Sequence, residues 1–237
     1  MNPILAGVAL AVVAGTVVAI SGRDVRVSVL GLTVVLVASP LLAEPTAGPL
    51  GLAARFIAAV LAGYLLAIVA RDRTEGGQPA ASTGGSRIGW PAEVLVAAGA
   101  SVVGFAAHGL GAPAGGPALA SAAGFAVAAL ALTPVLTGRD GIRVGIGVVL
   151  LVDASLLVRT ALGGTPGDFE QLISAGMLVV LAGGVAVLGA TARADGSDGY
   201  ALSTDRAPGP GRRAIGRGLG RTRWRREPDA HPIEPTR

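Results

Sequence analysis

Seven apolar stretches, rich in Ala, Val, Leu and Gly, are separated by short polar segments along this chain. They lie at residues 4–20, 27–43, 50–70, 90–110, 118–137, 142–161 and 171–191. Most approach the ~20 residues that an α-helix needs to cross ~30 Å of hydrocarbon. The pattern therefore predicts an all-α, polytopic membrane bundle of about seven transmembrane helices. The second stretch, VSVLGLTVVLVASPLLA, is shorter, and Pro40 near its end is expected to bend it. The first is not read as a signal peptide: it has no basic leading segment, and no small-x-small cleavage site precedes Ser21-Gly22-Arg23.

The polar segments orient the bundle. Arg23 and Arg26 follow the first stretch, Arg71, Arg73 and Arg87 the third, and Arg139 and Arg143 the fifth. The remaining connections hold Glu44, then no charge between Gly111 and Pro117, then Asp168 and Glu170. Arginine on alternate loops fits the positive-inside rule, with the N-terminus outside and the C-terminus in the cytoplasm. The expected organisation is three transmembrane helices in residues 1–70, a flexible cytoplasmic linker at 71–89, four transmembrane helices at 90–192 and a disordered Arg-rich cytoplasmic tail at 193–237. The linker, RDRTEGGQPAASTGGSRIG, is rich in Gly, Ser, Pro and charge.

Composition agrees with the bilayer as solvent. Hydrophobic residues make up 51% of the chain and charged residues only 14%, against roughly 25% charged in a soluble domain. The 37 glycines suit close helix–helix approach in lipid. With no cysteine and two histidines, His108 and His231, neither a thiolate centre nor a His-rich metal site is expected. The net charge of +4 resides in the tail: ten Arg face six acids from Arg193 onward, whereas the rest of the chain is balanced. There Arg212, Arg213, Arg217, Arg221, Arg223, Arg225 and Arg226, with Trp224 among them, form a polybasic juxtamembrane segment. Such a segment suits anionic lipid headgroups at about 1 kcal/mol per Arg. The membrane tether favours lipid over nucleic acid as its partner.

Charges within the spans are the candidate functional residues, since each costs at least ~2.5–3.5 kcal/mol at the bilayer centre. Asp153 is deepest, near the middle of IRVGIGVVLLVDASLLVRTAL. It reads either as a proton-relay or polar inter-helix site, or as a carboxyl paired with a neighbouring helix or subunit for assembly. Arg55 either snorkels outward or pairs inside the bundle; pairing with Asp153 is chemically attractive if the two reach one depth. Glu93 and His108, near opposite ends of the fourth span, are expected to reach the interface. Glu170 opens the seventh span, where a carboxylate suits the positive helix end, and Arg159 is expected to snorkel. There is no GxxxxGK[ST], HExxH or GxSxG motif. The pattern Gly141-x-x-x-Gly145-x-Gly147 is read as helix packing rather than phosphate binding.

The order of these features resembles component E of hydrogenase-4 and formate-hydrogenlyase-like complexes, a family whose C-terminal part is similar to the small K-type membrane subunit of respiratory complex I. The likeness is clearest over residues 137–193. TGRDGIRVGIGVVLLVDASLLVRTAL resembles the family's basic loop, Gly-led apolar run and mid-helix polar pair, and PGDFEQLISAGMLVVLAGGVAVLGATAR resembles its turn and last helix. AISGRDVRVSVLGL is similar to its first cytoplasmic loop, Arg55 falls close to a basic residue of its third helix, and Glu170 matches its glutamate after the turn. The chain departs from the family at mid-helix, where the family's Glu falls on Val152 and its Asn on Asp153. The carboxylate has thus either moved one position, about a 100° rotation, or been lost in its old role, so the resemblance carries no proton-route role over to Asp153.

The resemblance implies a non-catalytic membrane subunit, not an enzyme, binding no cofactor. It would sit in a bacterial or archaeal cytoplasmic membrane beside antiporter-like chains that couple redox chemistry to proton or sodium translocation. The competing readings are a standalone small transporter and a membrane scaffold whose basic tail binds lipid or a partner.

Overall fold

The computed structural model describes residues 3–22, 24–43, 48–75, 89–109, 115–137 and 141–194. Every regular element among them is helical. They are α1 (Pro3–Ser21), α2 (Val25–Ala38) running into a 3-10 turn (Ser39–Leu42), α3 (Pro49–Glu75), α4 (Trp90–Ala107), α5 (Ala118–Thr137), α6 (Gly141–Gly163) and α7 (Asp168–Ala194). Among the described residues seven segments are long and apolar enough to cross a membrane, and the chain is a multi-pass integral membrane protein. The linker residues 76–88 and the tail from residue 195, with its seven candidate lipid-binding arginines, lie outside the described residues.

Local chemistry sets the boundaries. The Asp24 carboxylate accepts the Arg26 N–H at 2.9 Å and caps α2. Pro40 cannot donate the bond that would continue α2. The bend expected there takes the form of a change of helix type: the chain tightens into the 3-10 turn at Ser39. That change matters for the site below, because Ser39 is the residue at the switch.

Six helices close a ring in the order α1, α2, α3, α7, α6, α5 and back to α1, while α4 packs on the outside against α5 and, more lightly, α1. Helices from before and after the linker therefore interlock. Small residues allow this closeness. A Cβ on Gly31 of α2 would stand 2.6 Å from the Ala19 nitrogen and 2.7 Å from the Gly15 oxygen of α1, so the two backbones touch there. Gly145 faces Val185 of α7 and Gly147 faces Val135 and Pro134 of α5, so the glycine pattern of α6 is packing, as the sequence implies.

The helix ends sort into two sets. At one, Arg143 donates from Nη2 to the Gly22 carbonyl at 3.0 Å, and Val69, Ile142 and Gly189 come together. This is the end of the arginine-bearing turns, the cytoplasmic side under the positive-inside rule. At the other, Gly51 N–H donates to Asp168 Oδ1 at 3.3 Å, and the Gly115 and Gly116 N–H groups donate to the Leu162 and Ala161 carbonyls. Large apolar side chains such as Leu10, Leu95, Val102 and Val180 remain exposed on the outer surface, as a bundle in hydrocarbon requires.

Candidate functional site

The buried stripe of α6 runs Ile142, Ile146, Val149, Leu150, Asp153, Leu157 and Ala161. Its helical spacing puts Asp153 on this mainly apolar inward face, which it shares with one other buried polar side chain, Thr160, two turns on. Asp153 is wholly inaccessible (0% exposed) and Arg55 of α3 nearly so (4%). Arg55 Nη2 donates to Asp153 Oδ1 at 2.9 Å. The Ser39 hydroxyl donates to the same oxygen at 2.9 Å. Arg55 Nη1 lies 3.5 Å from Ser174 Oγ of α7, which itself donates to the Gln171 carbonyl at 2.9 Å. Four segments of the ring thus converge on one ion pair, and Asp153 Oδ2 has no hydrogen-bond partner among the described residues.

Depth, the condition on which the pairing rests in the sequence, is met by side-chain reach. Arg55 sits six residues past the start of α3, about 9 Å along its axis, and Asp153 ten residues before the end of α6, about 15 Å. The long arginine stem closes the difference by running along the bundle toward its middle rather than outward to water.

Above the pair, between the 3-10 turn, α3, α6 and α7, lies a crevice of about 30 Å³. Ser39, Arg55, Arg159, Thr160, Glu170 and Gln171 supply its polar lining. One water needs roughly 10–15 Å³ by this measure, so the crevice has room for about two. At its mouth Arg159 and Glu170, both 42% exposed, form a bidentate ion pair: Nη2 donates to Oε2 at 2.7 Å and Nε to Oε1. Arg159 also donates from Nη1 to the Gly164 carbonyl at 3.2 Å, which fastens the α6–α7 turn. Arg159, expected to snorkel, is half-exposed and is held by a carboxylate in the first turn of the next helix. Glu170 is a salt-bridge partner as well as a residue of the first turn of α7. Toward the opposite end, a smaller crevice of about 10 Å³ is lined by Ala19, Ile20, Pro134, Arg143 and Ile146. Val149 and Leu150, both fully buried, lie on α6 between its Ile146 and Asp153.

Of the four intramembrane candidates from the sequence, Asp153 and Arg55 meet, Glu170 stands at the mouth of the crevice above them, and Glu93 lies elsewhere. Glu93 does not reach the interface as expected: it is 2% exposed, and neither carboxylate oxygen has a partner among the described residues. The reason is register. Glu93, Ala97 and Gly104 are the three buried residues of α4, and Gly104 meets Ser121 and Phe125 of α5, so Glu93 falls on the packed stripe. Ser39, Ser174 and Gln171 are not singled out by the sequence; only the Ser-Pro step inside an apolar run marks the first of them. No known protein family, curated protein or solved structure matches this chain.

Proposed function

We propose that this chain is a non-catalytic membrane subunit of a hydrogenase-4 or complex I-like assembly in a bacterial or archaeal cytoplasmic membrane, where redox chemistry is coupled to proton or sodium translocation. The observation that carries the reading is the Arg55–Asp153 pair held at depth by the 3-10 turn, α3, α6 and α7. Ionisable groups within membrane spans mark ion pathways and relays more often than they mark stability, because the bilayer makes them expensive to keep. The resemblance over residues 137–193 supports the choice of assembly. So does the position of Arg55 on the third helix, as in that family. Under this reading the exposed apolar faces of α4 and α7 adjoin lipid and neighbouring antiporter-like subunits.

A tagged full-length chain, extracted from its native membrane in mild detergent, should bring antiporter-like membrane chains and redox subunits with it. A lone, stable chain with no partner defeats the proposal. The crevice that reaches Arg55 favours one second reading, a standalone small transporter. Ion transport by the purified chain in liposomes, abolished in Asp153→Asn, would select it.

A further inference from the structure

The crevice ends on Ser39 and Arg55, the two groups that hydrogen-bond Asp153, while Asp153 itself lies one turn of α6 below the crevice-lining Leu156 and Leu157. Water filling the crevice therefore touches the ion pair through its partners. Of those partners only Ser39 both gives and accepts a proton at one atom; the Arg55 guanidinium has no lone pair to accept with. Toward the arginine-bearing end, Ile146, Val149 and Leu150 are buried apolar side chains that offer no comparable relay. The Ser39 hydroxyl donates to Asp153 Oδ1, so a proton handed on by the serine arrives at that oxygen, while Oδ2 has no hydrogen-bond partner among the described residues.

We infer that the crevice is a one-sided aqueous entry to the Arg55–Asp153 pair, and that the Ser39 hydroxyl relays protons between its water and Asp153. In the inward hop, a hydronium in the crevice gives a proton to Ser39 Oγ as the original hydroxyl proton passes to the Asp153 carboxylate. One O–H bond forms and one breaks at the serine, leaving water, an unchanged serine and a neutral carboxyl. Arg55, which lines the crevice, then keeps its charge against that water and Ser174. The Arg159–Glu170 pair at the mouth is the boundary the water crosses.

The charged surroundings are few. The helices α1 and α5 carry no titratable side chain, and α2 brings only Arg26, one residue past its first. From α7 come Glu170, paired with Arg159, and Asp168, bonded to Gly51 N–H, with Arg193 near its far end. On α3, Tyr64, Arg71, Asp72, Arg73 and Glu75 follow Arg55 by two turns or more.

The inference concerns the pair and not the identity of the assembly, so it can fail while co-purification succeeds, and the reverse. The chain has no cysteine, which makes introduced thiols unambiguous reporters. In intact cells, with the full chain in its own membrane, Thr160→Cys should react with silver ion, a thiol reagent of about the size of the waters the crevice holds, added outside at least ~10-fold faster than Val149→Cys, because a thiol buried among apolar groups does not ionise. Equal rates, or faster reaction from the cytoplasmic face, overturn the entry. For the relay, infrared spectroscopy of the membrane-embedded protein should find a carboxyl band on acidification that is absent in Asp153→Asn. Its hydrogen–deuterium exchange should slow about 100-fold in Ser39→Ala, the scale of losing one positioned proton carrier. Ser39→Thr, which keeps the hydroxyl, should restore the rate. No carboxyl band, or exchange unchanged in Ser39→Ala, overturns the relay. If Ser39→Ala fails to assemble, exchange in Ser39→Thr decides instead: near the parent rate it supports the relay, and as slow as full sequestration it refutes it.

Discussion

Two carboxylates are buried to the same degree in this bundle and are treated in opposite ways. Asp153 at the ring's centre accepts bonds from an arginine and a serine, and Ser174 supports the arginine from behind. Glu93, on the outer helix α4, is equally removed from solvent, yet neither of its oxygens meets a donor among the described residues. Burial alone therefore says little about what a charge does in a membrane protein. Asp153 is built in by residues from several elements, whereas Glu93 lies on the packed stripe of a helix that touches the bundle along one side.

The largest test of that contrast is Arg55→Met. Removing one member of a buried pair strands the other, and stability should fall by about 3–5 kcal/mol. Detergent-solubilised protein would show this as a lowered thermal midpoint. The double variant Arg55→Met/Asp153→Leu should recover most of the loss, since apolar groups of similar size replace a buried pair at little cost. If the double variant is as unstable as the single one, the two side chains do not act as an energetic unit. Glu93→Met should go the other way, raising stability by about 1–3 kcal/mol, because it removes buried oxygens that lack donors. A loss from Glu93→Met would mean that Glu93 has a partner beyond the described residues, and the contrast would fail. Ser39→Ala should cost only about 0.6 kcal/mol, the average for a hydrogen bond between membrane helices, so any large effect on proton exchange is separable from folding. Glu170→Gln at the half-exposed mouth should likewise change stability by less than about 1 kcal/mol, with the effect reduced by salt.

The spans are legible in the sequence because each is a nearly unmixed apolar run bounded by charge or by Gly and Pro, and the helices match the expected limits to within a turn except at the end of α3, which runs on to Glu75, five residues into the segment expected as linker. The depth of Asp153 follows from counting along α6. What counting cannot supply is azimuth and side-chain reach. Arg55 and Asp153 begin at unequal distances from the same end, and only the direction taken by the arginine stem joins them. Glu93 has the spacing of an interfacial residue, and the rotation of α4 on α5 buries it. Arg159 gives the sequence no hint of a carboxylate to hold, because that carboxylate lies across the α6–α7 turn. Ser39 escapes notice because a serine before a proline at the end of a short span reads as a boundary, when the 3-10 switch places it on the ion pair.

The separation of Arg55 and Asp153 along the chain has a consequence during biosynthesis. The two residues are 98 positions apart. At synthesis rates of about 5–20 residues per second, roughly 5–20 s pass between the emergence of one and of the other. Through that interval the nascent α3 holds a guanidinium whose counter-charge has not yet been translated. The insertion machinery must therefore either keep this helix at the translocon or headgroup layer, or shelter it, until α6 arrives. Maturation of the protein is thereby tied to the order in which its helices leave the ribosome.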